Sequence, residues 1–194
     1  MHRKQLLDLL ARYRAAHPDE AACADRIRAL VERHADCFER TCWAGHVTAS
    51  AWVLSPDGRR FLLTHHRKLG RWLQLGGHCD GEADVAAVAL REAREESGLV
   101  DLRFAYASDA PVPIDLDVHA IPARGAAEPA HDHHDVRFAL VAAPGQTIAV
   151  SDESQALEWF DLDALEEVAD DASVLRLGLK VRRLLAAGAL RLAG

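Results

Sequence analysis

Apolar residues recur at helical spacing through the first forty positions. Leu6, Leu9, Leu10 and Tyr13 form one stripe, His17-Pro18 interrupts it, and Ile27, Leu30, Val31 and Phe38 form another. Two helices are therefore predicted within residues 2–40. The period then changes. Alternation and β-branched content predict a strand over 46–54, Pro56-Asp57-Gly58 a turn, and 59–64 the returning strand of a hairpin. A basic stretch, His65 to Leu75, is read as a loop running into a Gly76-Gly77 turn. An alanine-rich helical segment follows and closes at Gly98, a residue suited to a helix C-cap. Further strands are expected at 102–106, 114–120 and 136–141, with a loop of small residues and proline over 121–130. A last helix over 172–190 carries Val174, Leu177, Val181, Leu184 and Leu185 on one stripe. Periodicity by itself supports α/β or α+β.

Composition narrows this picture. A chain of 194 residues can bury one core of ordinary size and carry an extension. With 30 acidic against 23 basic residues the formal net charge is −7, which argues against a general binder of nucleic acid or anionic membrane. No apolar run approaches the roughly 20 residues needed to span a bilayer, and the amphipathic start Met1-His2-Arg3-Lys4 lacks the core of a signal peptide. A cytoplasmic protein is expected. Cys23, Cys37, Cys42 and Cys79 show no paired spacing and read as reduced thiols.

The chemistry concentrates in Arg91-Glu92-Ala93-Arg94-Glu95-Glu96-Ser97-Gly98-Leu99. Glu92, Glu95 and Glu96 stand at i, i+3 and i+4, so their carboxylates leave one helical face about a turn apart. Like charges at such spacing cost roughly 0.2–0.5 kcal/mol per pair, which favours a cation over an empty face. Oxygen-only ligands select a hard ion, and Mg2+ or Mn2+ fits best because each keeps positions open for water or phosphate oxygens.

Taken with Gly76-Gly77-His78-Cys79-Asp80-Gly81-Glu82, this segment resembles the signature of the Nudix hydrolases. Counted from Gly77, the residues Arg91, Glu92, Ala93, Glu95, Glu96, Gly98 and Leu99 all stand where that pattern asks. One position departs: the signature's first glutamate falls on Ala83, with Glu82 one residue early, and Glu82 or Asp80 is a candidate substitute. The resemblance implies a Nudix α/β/α sandwich with a mixed, curved sheet, preceded by an N-terminal helical extension. It places the extension at residues 1–42 and the hydrolase domain, C-terminal helix included, at 43–194. It also implies hydrolysis of a diphosphate bond in a nucleoside diphosphate linked to another group. Glu92, Glu95, Glu96 and the Gly77 carbonyl would hold the metal, and Arg91 would orient a glutamate. Glu153, ahead of the Trp159-Phe160 strand, would act with Glu95 and Glu96 in catalysis, with Asp152 and Glu158 as rivals. The partner is then a small nucleotide-type substrate, and a homodimer stays open. The alternative is a silent Nudix-fold sensor or interaction module, to which the departure at Ala83 lends some support.

Two further groups are candidate substrate contacts. Arg67, Lys68 and Arg71 precede the glycines and could neutralise phosphate, whereas Trp72 reads as a packing residue. His131-Asp132-His133-His134-Asp135 puts His131 and His133 on one strand face, with His119 as a further member. Phosphate contact through imidazolium, transition-metal binding and a hydrogen-bonded strand entry are the readings open for them.

Overall fold

The structure, a computed structural model, describes residues 2–106, 111–125, 127–151 and 154–193. In chain order its elements are α1 (Lys4–Ala16), α2 (Ala21–Arg33), β1 (His46–Leu54), β2 (Arg60–His66), β3 (Arg71–Leu73), β4 (Leu75–His78), α3 (Val85–Ser97), β5 (Leu102–Phe104), β6 (Asp115–Ile121), β7 (His131–Ala142), β8 (Ser154–Asp161), α4 (Leu165–Val168) and α5 (Ala172–Ala186). The strands form one mixed eight-stranded sheet whose main path runs β3-β2-β1-β7-β5, with β4 joined to β1, β6 to β7 and β8 to β2. β1 and β7 are parallel over their whole common length.

Three expectations need correction. The basic stretch 65–75 is not a continuous loop, because β2 runs on to His66 and β3 pairs back on it. The glycine pair lies in strand β4 beside β1 rather than in a turn. Segments of three or four residues carry too little periodicity to reveal strands whose partners are remote. Likewise β7 starts at His131, not at 136. Its polar first half is strand because β1 and β6 satisfy its backbone on both sides.

Helices cover both sheet faces. On one side Val47 and Ala49 of β1 and Val136 and Phe138 of β7 meet the apolar stripes of α1 and α2 and Val85, Val88 and Ala89 of α3. The N-terminal helices thus share a core with the sheet. On the other side Trp52, Leu54, Ala139 and Val141 lie under Leu165 of α4 and Val174, Leu177 and Val181 of α5. Full burial of a side chain such as Val88, with no exposed surface, contributes roughly 1.5–3 kcal/mol.

Towards the strand starts this second face turns polar. Arg137, 2% exposed, donates from Nε to Asp135 at 2.9 Å, from Nη1 to Asp115 at 3.2 Å and from Nη2 to Asp117 at 3.0 Å. Arg176 of α5 donates to Asp115 at 2.9 Å and Asp117 at 2.8 Å, and Lys180 to Asp115 at 3.0 Å. Thr48 and Ser50 donate to Asp135. Each buried charge has partners of the opposite sign, which such burial requires.

Candidate active site

The pairing of β4 with β1 sets Gly76 opposite Ser50 and Gly77 opposite Ala49. A Cβ on Gly76 would lie 2.6 Å from Ser50 Cα and 2.7 Å from the Ala49 carbonyl oxygen, so the bare backbone is what lets β4 close on β1. A Cβ on Gly77 would lie 2.5 Å from Glu92 Oε2. The second glycine therefore leaves room for a carboxylate rather than for a strand.

That carboxylate is delivered by α3, whose start is set by Asp84. Its Oδ1 accepts from the amides of Ala86 and Ala87, each at 3.1 Å. The helix ends at Gly98 (φ 71°), whose amide donates to the Arg94 carbonyl at 2.8 Å. Between these ends the stripe Val85, Val88, Ala89 and Ala93 is buried, which leaves Glu92 and Glu96 turned towards β4. The Gly76 amide donates to Glu96 Oε2 at 2.9 Å. Arg91 donates from Nη2 to the His78 carbonyl at 3.1 Å, and its Nη1 lies 2.7 Å from Glu92 Oε1 and 3.2 Å from Glu95 Oε2. Burial works against the Arg91 charge, but the two carboxylates outweigh it and raise its pKa. Glu92, 15% exposed at its side chain, is sunk between strand and helix, whereas Glu95 at 60% faces outward.

The family model of the NUDIX domain matches residues 44–178. The chain belongs to the NUDIX family, the Nudix hydrolases. No curated protein is a significant match. Solved structures with the same fold include an Ap4A hydrolase of C. elegans in a binary complex, 21% identical, with a TM-score of 0.56 over 73% of this chain and 98% of that one. A NUDIX-family hydrolase of Clostridium perfringens is 22% identical, with a TM-score of 0.58 over 72% and 97%. The E. coli dihydroneopterin triphosphate pyrophosphohydrolase is 16% identical, with a TM-score of 0.54 over 73% and 95%.

Against the Nudix signature, the departure at Ala83 is absorbed locally. Glu82 Oε1 accepts from the Asp84 amide at 2.9 Å, so the displaced glutamate steadies the residue that caps α3. Asp80 takes both arms of Arg40, at 2.6 and 2.5 Å, tying the loop to the segment after α2. The same Arg40 contact holds the Asp80 carboxyl below its ordinary pKa. Asp84 and Arg40 were not singled out from the sequence. An aspartate directly before an apolar helical run was a readable cap signal, whereas nothing local marks Arg40.

The groups that could hold a cation here are oxygen only: the carboxylates of Glu92, Glu95 and Glu96 and the Gly77 carbonyl. They suit a hard divalent ion, and the space a Cβ would fill at Gly77 is where Glu92 sits.

Other predicted site residues fall elsewhere. Glu153 and its rival Asp152 lie outside the described residues, and Glu158 is exposed on β8 opposite Leu63. Lys68 is exposed in the β2–β3 connection. Arg71 opens β3 and donates to Asp171 at 3.3 Å, the residue that caps α5. Arg67 donates to the Ser154 carbonyl at 3.0 Å. Trp72 packs edge-on to Phe160 and His65, with centroids 4.9 and 5.1 Å away.

His131 and His133 join a larger group. Strand register places His119 and His46 on either side of His133, and His78 pairs with Thr48 of β1. Alternation along each strand turns all five rings to the face opposite Glu92. Ring centroids are 4.6 Å apart for His46 and His133, 4.8 Å for His46 and His131, 5.3 Å for His131 and His133, and 5.2 Å from His78 to both His46 and His133. Burial first, then the neighbouring imidazoles, pushes His133 down to about 2 and His46 to about 4. His133 therefore offers phosphate no positive charge at neutral pH. His78 joins the two regions: its ring is in the cluster and its carbonyl holds Arg91.

Proposed function

We propose that this Nudix chain is a divalent-metal-dependent pyrophosphohydrolase that cleaves the diphosphate bond of a nucleoside diphosphate linked to another moiety. The observation that supports this most is the seating of Glu92 against Gly77, with Arg91 tied to the next carbonyl of the same strand. Glu92, Glu95, Glu96 and the Gly77 carbonyl are the residues that would hold Mg2+ or Mn2+. Such an ion, when bound, neutralises charge on the diphosphate and acidifies an attacking water.

The chain's own residues do the rest. Arg91 is a positioning residue: it orients Glu92 and Glu95 from a fixed strand carbonyl, and must yield part of its ion pairing when either carboxylate turns to a cation. Glu96 is oriented by the Gly76 amide. Glu153 is assigned by its place in the chain as the group that accepts the proton of the attacking water, with Glu95 and Glu96 sharing that role. Lys68, exposed on its turn, is assigned to draw in the phosphates, with Arg71 second because Asp171 already shares its charge. The chain's four free cysteines, three of them buried, suit a reducing, cytoplasmic setting. No helix among the described residues is long and apolar enough to cross a membrane. A small-molecule substrate, without nucleic acid or membrane, fits the net charge of −7, and a homodimer is compatible with this reading.

The test is release of phosphate, through a coupled pyrophosphatase and phosphatase, from a panel in Mg2+ and in Mn2+. The panel holds ADP-ribose, Ap4A, nucleoside triphosphates, dihydroneopterin triphosphate and coenzyme A. One class should turn over with metal dependence, and Glu96→Gln should abolish that turnover while melting as the wild type does. Full activity in Glu96→Gln would refute the assignment.

A further inference from the structure

The chemistry above makes no use of the buried histidines. We propose that His46, His131 and His133 form a second cation site, built for a divalent transition metal of the zinc class. One ring nitrogen from each of the three lies within 4.8 Å of the others. Tetrahedral ligands at 2.0–2.1 Å from zinc stand about 3.3 Å apart, so closing the site asks for ring movements of up to about 1.5 Å.

Two independent observations point to a ligand. His46 is 2% exposed, and neither of its ring nitrogens makes a hydrogen bond of good geometry, the Cys42 backbone offering at most a weak one. Buried polar atoms without partners are rare, and each calls for an ion, a water or another explanation. The tautomer of His131 is also set. Its Nδ1 lies 2.7 Å from the Pro129 carbonyl oxygen. A carbonyl only accepts, so Nδ1 carries the proton and Nε2 keeps a lone pair. A ring oriented by an outer acceptor in this way is the usual arrangement of a metal-bound histidine.

Position and chemistry agree. His46 and His133 are register partners on the parallel strands β1 and β7, and His131 is two residues along the same face. The donors therefore sit on paired backbone rather than on a loop. His78 and His119 flank the trio at ring distance. Neutral imidazoles prefer zinc, cobalt, nickel or copper, whereas the carboxylates across the sheet prefer magnesium or manganese. One chain would then hold two cations sorted by ligand type, the softer one cross-linking the start of β1 to the start of β7. This inference does not rest on the hydrolase reading.

The experiment uses the full chain, stripped with a chelator and titrated with Co2+ and then Zn2+. Cobalt reports tetrahedral nitrogen ligation by its visible absorption, and the metal-free and zinc-loaded melting temperatures are compared. One equivalent of Co2+ should bind, Zn2+ should displace it, excess Mg2+ should not, and Zn2+ should raise the melting temperature. The Glu92→Gln/Glu96→Gln protein should behave in the same way. His131→Gln/His133→Gln should bind more than about 100-fold more weakly, beyond the 10–100-fold typical of losing an outer-shell partner. Should the double variant fail to fold, His131→Gln alone, at the first residue of β7, carries the test. The proposal fails if folded wild type binds no Co2+, if binding survives in the folded histidine variant, or if the glutamate variant loses it.

Discussion

Replacing Gly77 by alanine separates the site from the fold more cleanly than removing an acid does. Gly77 is not among the glycines with positive φ, so its backbone accepts a side chain. Relieving glycine's freedom in the unfolded chain stabilises by roughly 0.4–1 kcal/mol. The new Cβ would meet Glu92 Oε2 at 2.5 Å and Cδ at 2.6 Å, and the carboxylate must retreat by about 0.9 Å to reach ordinary van der Waals contact. The atoms met are the far end of the Glu92 side chain, which can turn about its own bonds, so the fold can absorb that shift. A metal site with bonds of 2.0–2.1 Å cannot. A displacement near 1 Å costs on the order of 100-fold in rate, about 2.7 kcal/mol of transition-state stabilisation. The expected result is a melting temperature within a few degrees of wild type, with kcat/KM lowered about 100-fold and weakened Mn2+ binding by electron paramagnetic resonance. Gly76→Ala is the control: its Cβ strikes the backbone of Ser50 and Ala49, so it should lose stability as well as activity. Wild-type turnover and Mn2+ affinity in a folded Gly77→Ala protein would refute the role given to Glu92 and Gly77 together.

Other outcomes follow from the same contacts. Asp84→Ala removes the one carboxylate oxygen that accepts from two amides at the start of α3 and should cost about 1 kcal/mol, roughly 2–4 °C in a thermal melt. Arg137→Met leaves Asp135, Asp115 and Asp117 without their shared cation. It should lower unfolding stability by about 3–5 kcal/mol, read as a fall in the urea midpoint; an unchanged midpoint would show the network to be dispensable. His46 and His134 are each lowered by burial to about 4 from the ordinary histidine value of 6.5. The unfolded chain therefore binds more protons between those values. Stability should be complete above about pH 6.5 and should fall as pH drops towards 4. His134→Gln should flatten the urea midpoint against pH between 6.5 and 5, and an unaltered slope would count against the burial argument.

Local spacing makes part of this protein legible in its sequence. The span of α3 and the spacing of its acids are visible because helical geometry relates residues a few positions apart, and the Gly98 cap lies within the same turn. The family followed from that segment and is supported over residues 44–178. The short strands β3 and β4, the polar half of β7 and the Arg40–Asp80 tie were not legible. Each depends on a partner brought close by the tertiary fold, as when Arg40 meets Asp80 across 40 positions.

By itself, then, the sequence determined the helix that carries Glu92, Glu95 and Glu96, the spacing of those acids, and the membership of the NUDIX family. Only the tertiary structure decided that Gly77 makes room for Glu92, that Arg91 is anchored on the His78 carbonyl, and that His46 meets His131 and His133. The physical reason is register. A helix brings together residues that the chain already holds within a turn, whereas β1, β4 and β7 align residues tens of positions apart, and a slip of one residue in a strand would send its histidines to the other face of the sheet.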